Sequence, residues 1–224
     1  MKGTLYLVAT PIGNLGDITR RAVEILQQVD FVACEDTRHT GLLLSHLGIK
    51  TALVRCDDHT EKRVAPGLAD RIEAGESGAL VSDAGTPGVS DPGYALVECA
   101  LAREVDVVPV PGPSAIIAAL CASGLSTHAF RFEGYLPVKV GARVRRLEQL
   151  AEDDATQVFF VPPHKLVRWL PDLRKVFGDR RACLARELTK KFEEFERGNL
   201  SDLERTYSAK VPRGEMVLLV AGKS

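Results

Sequence analysis

The sequence predicts an α/β protein of two domains, and three observations lead to this prediction. The first half of the 224-residue chain alternates short, β-branched apolar runs with amphipathic helical stretches. In the second half, strand-like runs follow one another with little helix between them. The charge also differs, because residues 1–119 carry 10 Lys and Arg against 16 Asp and Glu, and residues 120–224 carry 19 against 14. We therefore expect an N-terminal domain over 1–115 and a C-terminal domain over 120–224.

Five short apolar runs in the N-terminal half are typical of buried strands, because they are bounded by Gly, Pro or Asp. They are Thr4–Ala9, Phe31–Cys34, Thr51–Val54, Ala79–Ser82 and Val105–Val110. Helical patterns separate these runs. This alternation predicts a mainly parallel sheet with helices on both faces.

Local signals predict three helix starts in this half. Asp17 precedes an amphipathic stretch that runs to Val29, and we expect its carboxylate to cap that helix. Asp91 followed by Pro92 predicts a second start, since proline is favoured at the first helical position. Pro113, after a glycine, predicts a third.

The C-terminal half contains strand-like runs that lie close together along the chain, which favours a mixed sheet. The predicted strands are Phe130–Tyr135, Gln157–Val161, Ala182–Ala185, a segment around Phe192–Arg197, and Glu215–Ala221. Helices are predicted around Gly141–Ala151 and over His164–Phe177.

Composition and cysteine usage indicate a globular cytoplasmic protein. Apolar residues make up 45% of the chain and charged residues 26%. The five cysteines are scattered and form no C-x-x-C pair, no signal peptide is recognisable, and no apolar run approaches the length of a membrane helix. Cys56 and His59 form a C-x-x-H pattern without a second pair at zinc spacing, so no metal is expected.

Polar, glycine-rich segments follow four of the predicted strands. They are Thr10–Asp17, Glu35–Thr40, Asp83–Gly93 and Pro111–Ala115. Ligands of open parallel sheets bind outside the carboxyl ends of the strands, so these segments mark a binding edge. Neither a P-loop nor a Rossmann fingerprint occurs, which disfavours ATP and NAD. Glycines that admit a ligand, a nearby carboxylate and a helix N-terminus together suit a zwitterion such as an amino-acid moiety.

Five motifs are spread along the chain from Leu5 to about Glu194: LYLVATPIGNLGDITRRAVEIL, CEDTRHTGLLL, VSDAGTPGVSDPG, VPVPGPSA and ARELTKKFEE. Together they closely resemble the ribosomal RNA small subunit methyltransferase I family, within the tetrapyrrole-methylase-like (class III) methyltransferases. The resemblance implies two α/β domains, S-adenosylmethionine bound in the cleft between them, and a homodimer. It also implies 2′-O-methylation of a cytidine ribose in the decoding region of 16S rRNA, in the small (30S) ribosomal subunit.

The resemblance also implies which residues bind the cofactor. By motif they are Pro11, Asp83, Ala84, Gly85, Thr86, Ser114 and Ala115 from the first domain, and Phe160, Ala185 and Met216 from the second. Two segments depart from the family pattern. After the paired aromatics, Val161, Pro162 and Lys165 replace an acid, a small residue and an arginine, and in Arg55–Glu61 only His59 clearly matches a His-rich stretch.

A general base would assist methyl transfer to a ribose hydroxyl. The candidates by motif are Asp17, Asp36, Asp83 and Lys190. Because Asp83 is assigned to the cofactor, Asp36 and Asp17 are the favoured catalytic candidates. Helix capping explains the same two carboxylates equally well.

Phosphate contacts of an RNA substrate call for basic side chains. The candidates are Arg38, Lys139, Arg143, Arg145, Arg146 and Lys190. A solvated helix face explains the cluster from Arg143 to Arg146 equally well. Two other functions stay open: a class III methyltransferase that acts on a tetrapyrrole or a protein, and a non-catalytic RNA-binding assembly factor.

Overall fold

The computed structural model describes residues 1–209 and 212–223. The chain divides into two compact units, Met1–Ser114 and Ala115–Ser224. Each unit contains one five-stranded sheet. Both sheets carry helices, as the α/β prediction requires.

The first unit contains an entirely parallel sheet, which confirms the prediction for the N-terminal half. Its strands lie in the order β3-β2-β4-β1-β5. In chain order the elements are β1 (Thr4–Val8), α1 (Arg20–Gln28), β2 (Phe31–Cys34), α2 (Thr37–His46), β3 (Ala52–Arg55), α3 (Glu61–Glu73), β4 (Gly78–Leu80), α4 (Tyr94–Leu101) and β5 (Asp106–Val110).

Apolar clusters cover both faces of this sheet, which explains why its strands are almost continuously apolar. Alternate residues of β2 enter different clusters. Phe31 packs with residues of α3 and α4, including Ile72 and Leu96, while Val32 packs with Leu26 of α1 and Leu44 of α2. Parallel pairing brings the carboxyl ends of all five strands to one edge, where the polar loops emerge.

The helix starts differ from the sequence predictions. Thr19, and not Asp17, caps α1, with its hydroxyl accepting from the Ala22 N–H. Asp17 instead ends a short 3-10 turn, Leu15–Asp17, that is capped by Asn14. The fourth helix begins at Tyr94, beyond Asp91, because its first N–H groups find an acceptor on another helix. The helix after Pro113 begins two residues later, at Ala115.

The second unit contains a mixed sheet, as predicted. Its order is β6-β7-β10-β8-β9, with β6 and β7 parallel and the other pairs antiparallel. The elements are α5 (Ala115–Ala122), β6 (Phe130–Tyr135), α6 (Val140–Leu150), β7 (Thr156–Phe160), α7 (Pro163–Phe177), β8 (Arg181–Arg186), β9 (Glu194–Asn199), α8 (Leu200–Ser208) and β10 (Met216–Val220).

One apolar cluster forms the main core of this second unit. Trp169 of α7 is almost fully buried in it, together with Phe159, Leu184 and Leu218 from three adjacent strands. Helix α8, which the residue pattern does not predict, adds Leu203 to the same cluster. Within the described ranges, no helix is both long and apolar enough to cross a membrane.

Candidate functional site

Hydrogen bonds join all four predicted loops at the carboxyl edge of the first sheet, and the bond from the Asp36 N–H to Asp83 Oδ1 ties in the loop after β2. The backbones of Thr10 and Gly85 exchange two hydrogen bonds, of 2.9 and 3.1 Å, which tie the loop after β1 to the loop after β4. The Thr86 hydroxyl donates to the Pro113 carbonyl at 3.4 Å, which ties the β4 loop to the loop after β5. Predicted cofactor residues from separate motifs therefore share one edge.

The loop that follows β4 depends on glycine for its backbone path. Gly85 has φ +86° and Gly93 has φ +138°, both in the region that L side chains rarely adopt. At Gly93 a Cβ atom would also lie 2.6 Å from Leu80 Cδ2. The glycines of the VSDAGTPGVSDPG motif are thus required by the shape of the loop itself.

A cleft of ≈ 570 Å³ opens beside this loop, at the carboxyl ends of β2 and β3. Carboxylates dominate its lining, with two arginines and one histidine. The lining residues are Glu35, Asp36, Thr37, Arg38, Arg55, Asp57, Asp58, His59 and Asp83. The cleft includes the first four residues of the predicted Glu35–Thr40 segment. It also includes residues of the Arg55–His59 segment, which therefore belongs to the candidate site. Among the described residues, no His, Cys, Asp or Glu group has an arrangement that could hold a metal ion.

Asp36, the favoured catalytic candidate, is the N-cap of α2. Its Oδ1 accepts from the Arg38 N–H at 2.8 Å, and its Oδ2 accepts from Arg38 Nη2 at 3.1 Å. These bonds to the Arg38 side chain and backbone lower the pKa of Asp36 to about 2. A carboxylate with so low a pKa is a weak proton acceptor near neutral pH. The capping explanation therefore describes Asp36 better than the catalytic one.

Asp57, in the cleft segment that follows β3, is held in a similar way. Its Oδ1 accepts from the N–H and the hydroxyl of Thr60, both at 2.8 Å, and its Oδ2 accepts from Arg55 Nε at 2.7 Å. The Thr60 hydrogen bonds and the Arg55 ion pair lower the pKa of Asp57 to about 2. The Asp83 Oδ1 atom accepts a hydrogen bond from the Asp36 N–H at 3.3 Å.

The pKa of Glu35 is shifted in the opposite direction to those of Asp36 and Asp57. Burial, followed by the charges of Asp83 and Asp91, raises the pKa of its carboxyl group above the usual 4.5. No hydrogen bond to this carboxylate comes from the residues that the structure describes. Asp17, the second catalytic candidate, lies exposed in its 3-10 turn, and a catalytic role for it stays a prediction.

The predicted cofactor residues of the second unit lie on two faces of its sheet. Phe160 and Ala185 both pair with Val217, so these two side chains share one face. Phe160 also contacts Phe132 and Tyr135, with ring centroids 4.9 and 5.5 Å apart. Met216 points to the other face, into the apolar core. Its side chain is therefore unavailable to a ligand, and only its backbone remains a candidate.

The apolar Val161, which departs from the family pattern after the paired aromatics, fits the packing of the second unit. Val161 is buried in the core of the second unit, and its N–H donates to the Met216 carbonyl at 3.1 Å. Pro162 is the residue before α7. A buried apolar side chain at position 161 is compatible with this core, where an acid would need a partner.

The structure divides the predicted RNA-binding residues into three groups. Arg143 is buried and donates to Asp172 and to the carbonyls of Pro137 and Val138, so a role in phosphate binding is wrong for this residue. Three other residues form ion pairs. Arg38 pairs with Asp36, Arg146 pairs with Glu133, and Lys190 pairs with both Glu187 and Glu215. Lys139 and Arg145 are exposed and form no ion pair within residues 1–209 and 212–223.

Comparison with known proteins places the chain in a family. Residues 4–204 match the family described as Tetrapyrrole (Corrin/Porphyrin) Methylases. The chain is 48% identical over 221 residues to the ribosomal RNA small subunit methyltransferase I of Synechocystis sp., covering 98% of this chain and 79% of that protein. It is 49% identical over 223 residues to the protein of the same name from Pseudomonas aeruginosa, again covering 98% and 79%. The chain belongs to the ribosomal RNA small subunit methyltransferase I family.

This membership confirms the resemblance seen in the motifs, and solved structures confirm the fold class. Uroporphyrin-III-C-methyltransferase from Thermus thermophilus aligns with a TM-score of 0.65 at 22% identity, covering 97% of this chain and 94% of that one. At this identity the likeness concerns the fold alone.

Two carboxylates of this region were not among the predicted site residues. Glu35 belongs to the CEDTRHTGLLL motif, so the sequence did indicate that it lies near the site. Only the fold reveals that it is half-buried among other acidic residues. Glu61 opens α3 and accepts from N–H groups that begin α4, more than thirty residues later. No local sequence signal identifies such a long-range contact.

Proposed function

We propose that this chain transfers a methyl group from S-adenosylmethionine to the ribose 2′-hydroxyl of a cytidine in 16S rRNA. The observation that carries the proposal is the identity of 48–49%, over 98% of the chain, to proteins named ribosomal RNA small subunit methyltransferase I. As a member of this family the chain is an rRNA methyltransferase that uses S-adenosylmethionine. The cytidine and its 2′-hydroxyl are the more specific part of the proposal.

The chemistry of the cleft fits this methyl donor. S-adenosylmethionine carries positive charge on its sulfonium and its amino group, and the cleft beside the glycine-rich loop contains more carboxylates than arginines. Asp83 lies where this loop meets the cleft, and among residues 1–209 and 212–223 its carboxylate accepts one hydrogen bond, from the Asp36 N–H. We propose that Asp83 accepts from the donor, and that Pro11, Ala84, Gly85 and Thr86 form the adjoining wall. The proposed roles of Ser114, Ala115, Phe160, Ala185 and the Met216 backbone rest on the family resemblance.

The bound cofactor supplies an activated methyl group, so the chain mainly has to align the hydroxyl with it. Loops that are fixed to one another suit this task. The paired Thr10 and Gly85 backbones and the Thr86 hydroxyl hold the loops after β1, β4 and β5 in one arrangement. A rigid edge of this kind reduces the entropy that is lost when the reacting groups are brought together.

RNA binding is proposed for basic residues that the fold leaves available. Lys139 and Arg145 lie near one another in the chain, at the start of α6 and within it, and both are exposed. Tyr135, with 61% exposure, and Phe132 are close in sequence and offer aromatic faces to an unpaired base. Cations bind phosphates and aromatic rings stack on unpaired bases, so this combination suits a single-stranded RNA segment. A macrocycle with acidic substituents would require only the cations.

Transfer of tritium from labelled S-adenosylmethionine tests the proposed substrate. The protein is incubated with 30S subunits, free 16S rRNA, a tetrapyrrole and a translation factor, and nuclease digestion then locates the label. We expect label in a 2′-O-methylcytidine. Label in the tetrapyrrole or the protein alone would instead support those alternatives.

Calorimetry with S-adenosylmethionine separates an enzyme from a non-catalytic RNA-binding assembly factor. We expect saturable binding, whereas its absence at millimolar cofactor would contradict the enzyme proposal. The assembled 30S subunit as partner, a homodimer and a cytoplasmic location are further parts of the proposal. Comparing label in 30S subunits with label in naked rRNA tests the first, and sedimentation equilibrium tests the second.

A further inference from the structure

We propose that Glu35 is the general base that accepts the proton of the hydroxyl that becomes methylated. The inference rests on the proposed function, because it assigns a role within that reaction. It is an alternative to Asp36 and Asp17, the candidates favoured by the motifs.

The position of Glu35 meets the geometric requirement for this role. It follows β2 directly, at the carboxyl edge of the sheet, and it lines the cleft together with Asp83 of the proposed cofactor loop. A base has to reach the hydroxyl while that hydroxyl faces the methyl group. Glu35 is thus on the same cleft as the proposed cofactor ligand.

Three of the other four cleft carboxylates accept hydrogen bonds from the chain, while the fourth, Asp58, is exposed and lacks the partial burial of Glu35. Asp36 caps α2 and pairs with Arg38, and Asp57 is bound to Thr60 and Arg55. Asp83 accepts the Asp36 N–H. Among the described residues, nothing donates a hydrogen bond to the Glu35 carboxylate. Its oxygens are therefore available to a substrate hydroxyl.

The charged groups around Glu35 come from three loops. The loop into α2 contributes Asp36 and Arg38, and the loop after β4 contributes Asp83 and Asp91. The loop after β3 contributes Arg55, Asp57, Asp58 and His59. Because burial and the nearby Asp83, Asp91, Asp58 and Asp57 charges raise the pKa of Glu35, it accepts a proton more readily than an exposed glutamate.

The proposed step is balanced in atoms and charge. The 2′-O–H bond breaks and its proton moves to a carboxylate oxygen of Glu35. The hydroxyl oxygen bonds to the methyl carbon, and the electron pair of the broken carbon–sulfur bond stays on sulfur. The negative charge of the glutamate and the positive charge of the sulfonium are both lost, leaving a protonated Glu35, a neutral thioether and the methylated ribose.

The first test is single-turnover methylation of the RNA substrate by wild type and Glu35→Gln across pH 5–9. Glutamine preserves the shape but cannot accept the proton, so we expect the rate to fall by ~10²–10⁴-fold. We also expect the acidic limb of the wild-type pH profile to disappear. Glu98→Gln, an exposed carboxylate of α4, is the matched control and should keep the wild-type rate within about threefold.

Two measurements do not depend on activity. Affinity for S-adenosylmethionine, by calorimetry, should change by less than about threefold in E35Q, since the missing function is proton transfer. The urea midpoint of wild type should fall as the pH rises through the raised pKa of Glu35, because ionisation is disfavoured in the folded state. E35Q should lack this loss, so its midpoint should exceed that of wild type at pH 8 and match it at pH 4.

The outcomes separate this inference from the proposed function. Wild-type protein that binds the cofactor but methylates no RNA would overturn the proposed function and the Glu35 role together. Equal rates for wild type and E35Q, with the acidic limb intact, would overturn the Glu35 role alone. The same holds if Asp36→Asn, and not E35Q, removes the acidic limb.

Discussion

The carboxylate of Glu61 accepts a hydrogen bond from the backbone N–H of Gly93 at 2.9 Å. The same oxygen, Oε1, accepts from the Ala95 N–H at 2.7 Å. Glu61 is the first residue of α3 and only 8% exposed, and Gly93 is the residue before α4. A side chain of one helix thus caps the next, and it fixes the end of the glycine-rich loop that begins at Asp83.

Replacing Glu61 by alanine should destabilise the protein by about 3 kcal/mol, because buried N–H groups at the start of α4 lose a charged acceptor. Glu61→Gln keeps an oxygen acceptor and should cost about 1 kcal/mol. Urea unfolding measures both changes. Lys62→Ala, at the neighbouring exposed position, is the control and should stay within about 0.5 kcal/mol of wild type. Equal stability of E61A and K62A would contradict the capping role.

Arg143 and Arg145 of the same helix should respond to mutation in opposite ways. Arg143→Ala leaves Asp172 without its partner, and we expect a loss of about 3 kcal/mol in the free energy of unfolding. Arg145→Ala should leave stability within about 0.5 kcal/mol. It should weaken RNA binding and lower the slope of log affinity against log salt by about 1. A destabilised R145A with an unchanged salt slope would refute the assignment.

The cap of α2 makes stability depend on acid pH. The pKa of Asp36 is lowered to about 2 by its hydrogen bonds with Arg38, so its ionised form stabilises the folded chain above pH 3.8. This contribution is lost as the pH falls through 2. We therefore expect Asp36→Ala to lower the urea midpoint at pH 7 and the difference from wild type to shrink between pH 4 and pH 2. Asp106→Ala, at an exposed position, should show no such convergence.

The cysteines should differ strongly in their reaction with a thiol reagent. Cys121 is exposed and Cys99 half-buried, while Cys34, Cys56 and Cys183 are buried. Burial raises the pKa of the Cys56 thiol to about 12, which keeps it protonated and unreactive near neutral pH. We expect Cys121 to react first in the native protein and all five cysteines to react in urea. Rapid native labelling of Cys121→Ser would contradict this order.

The fold was largely predictable because its strands are short apolar runs between turn residues. The predicted Phe31–Cys34 and Phe130–Tyr135 coincide with β2 and β6, while the predicted β4 was shifted by one or two residues. The helix starts were less predictable. At Asp17 and Asp91 a capping residue is present, but the cap comes from Thr19 in one case and from distant Glu61 in the other.

Parts of the candidate site were predictable from motifs, and parts were not. The loops containing Thr10, Gly85 and Pro113 were expected at one edge, and hydrogen bonds join them there. The exposure of individual side chains was not predictable. Arg143 and Arg145 look equivalent in the sequence, yet one is buried against Asp172 and the other is exposed, since burial depends on which face of α6 packs on the core.

The sequence by itself determined the α/β class, the parallel and mixed sheets and the family, since periodicity and contiguous motifs are properties of the chain. The tertiary structure alone decided which carboxylates cap helices, and that the half-buried Glu35 accepts no hydrogen bond from the described residues. Glu35 and Asp36 are neighbours in the sequence, but Asp36 caps α2 while Glu35 lies among Asp83, Asp57 and Asp58. Hydrogen bonding and burial set their basicity, and both depend on residues brought together only by folding.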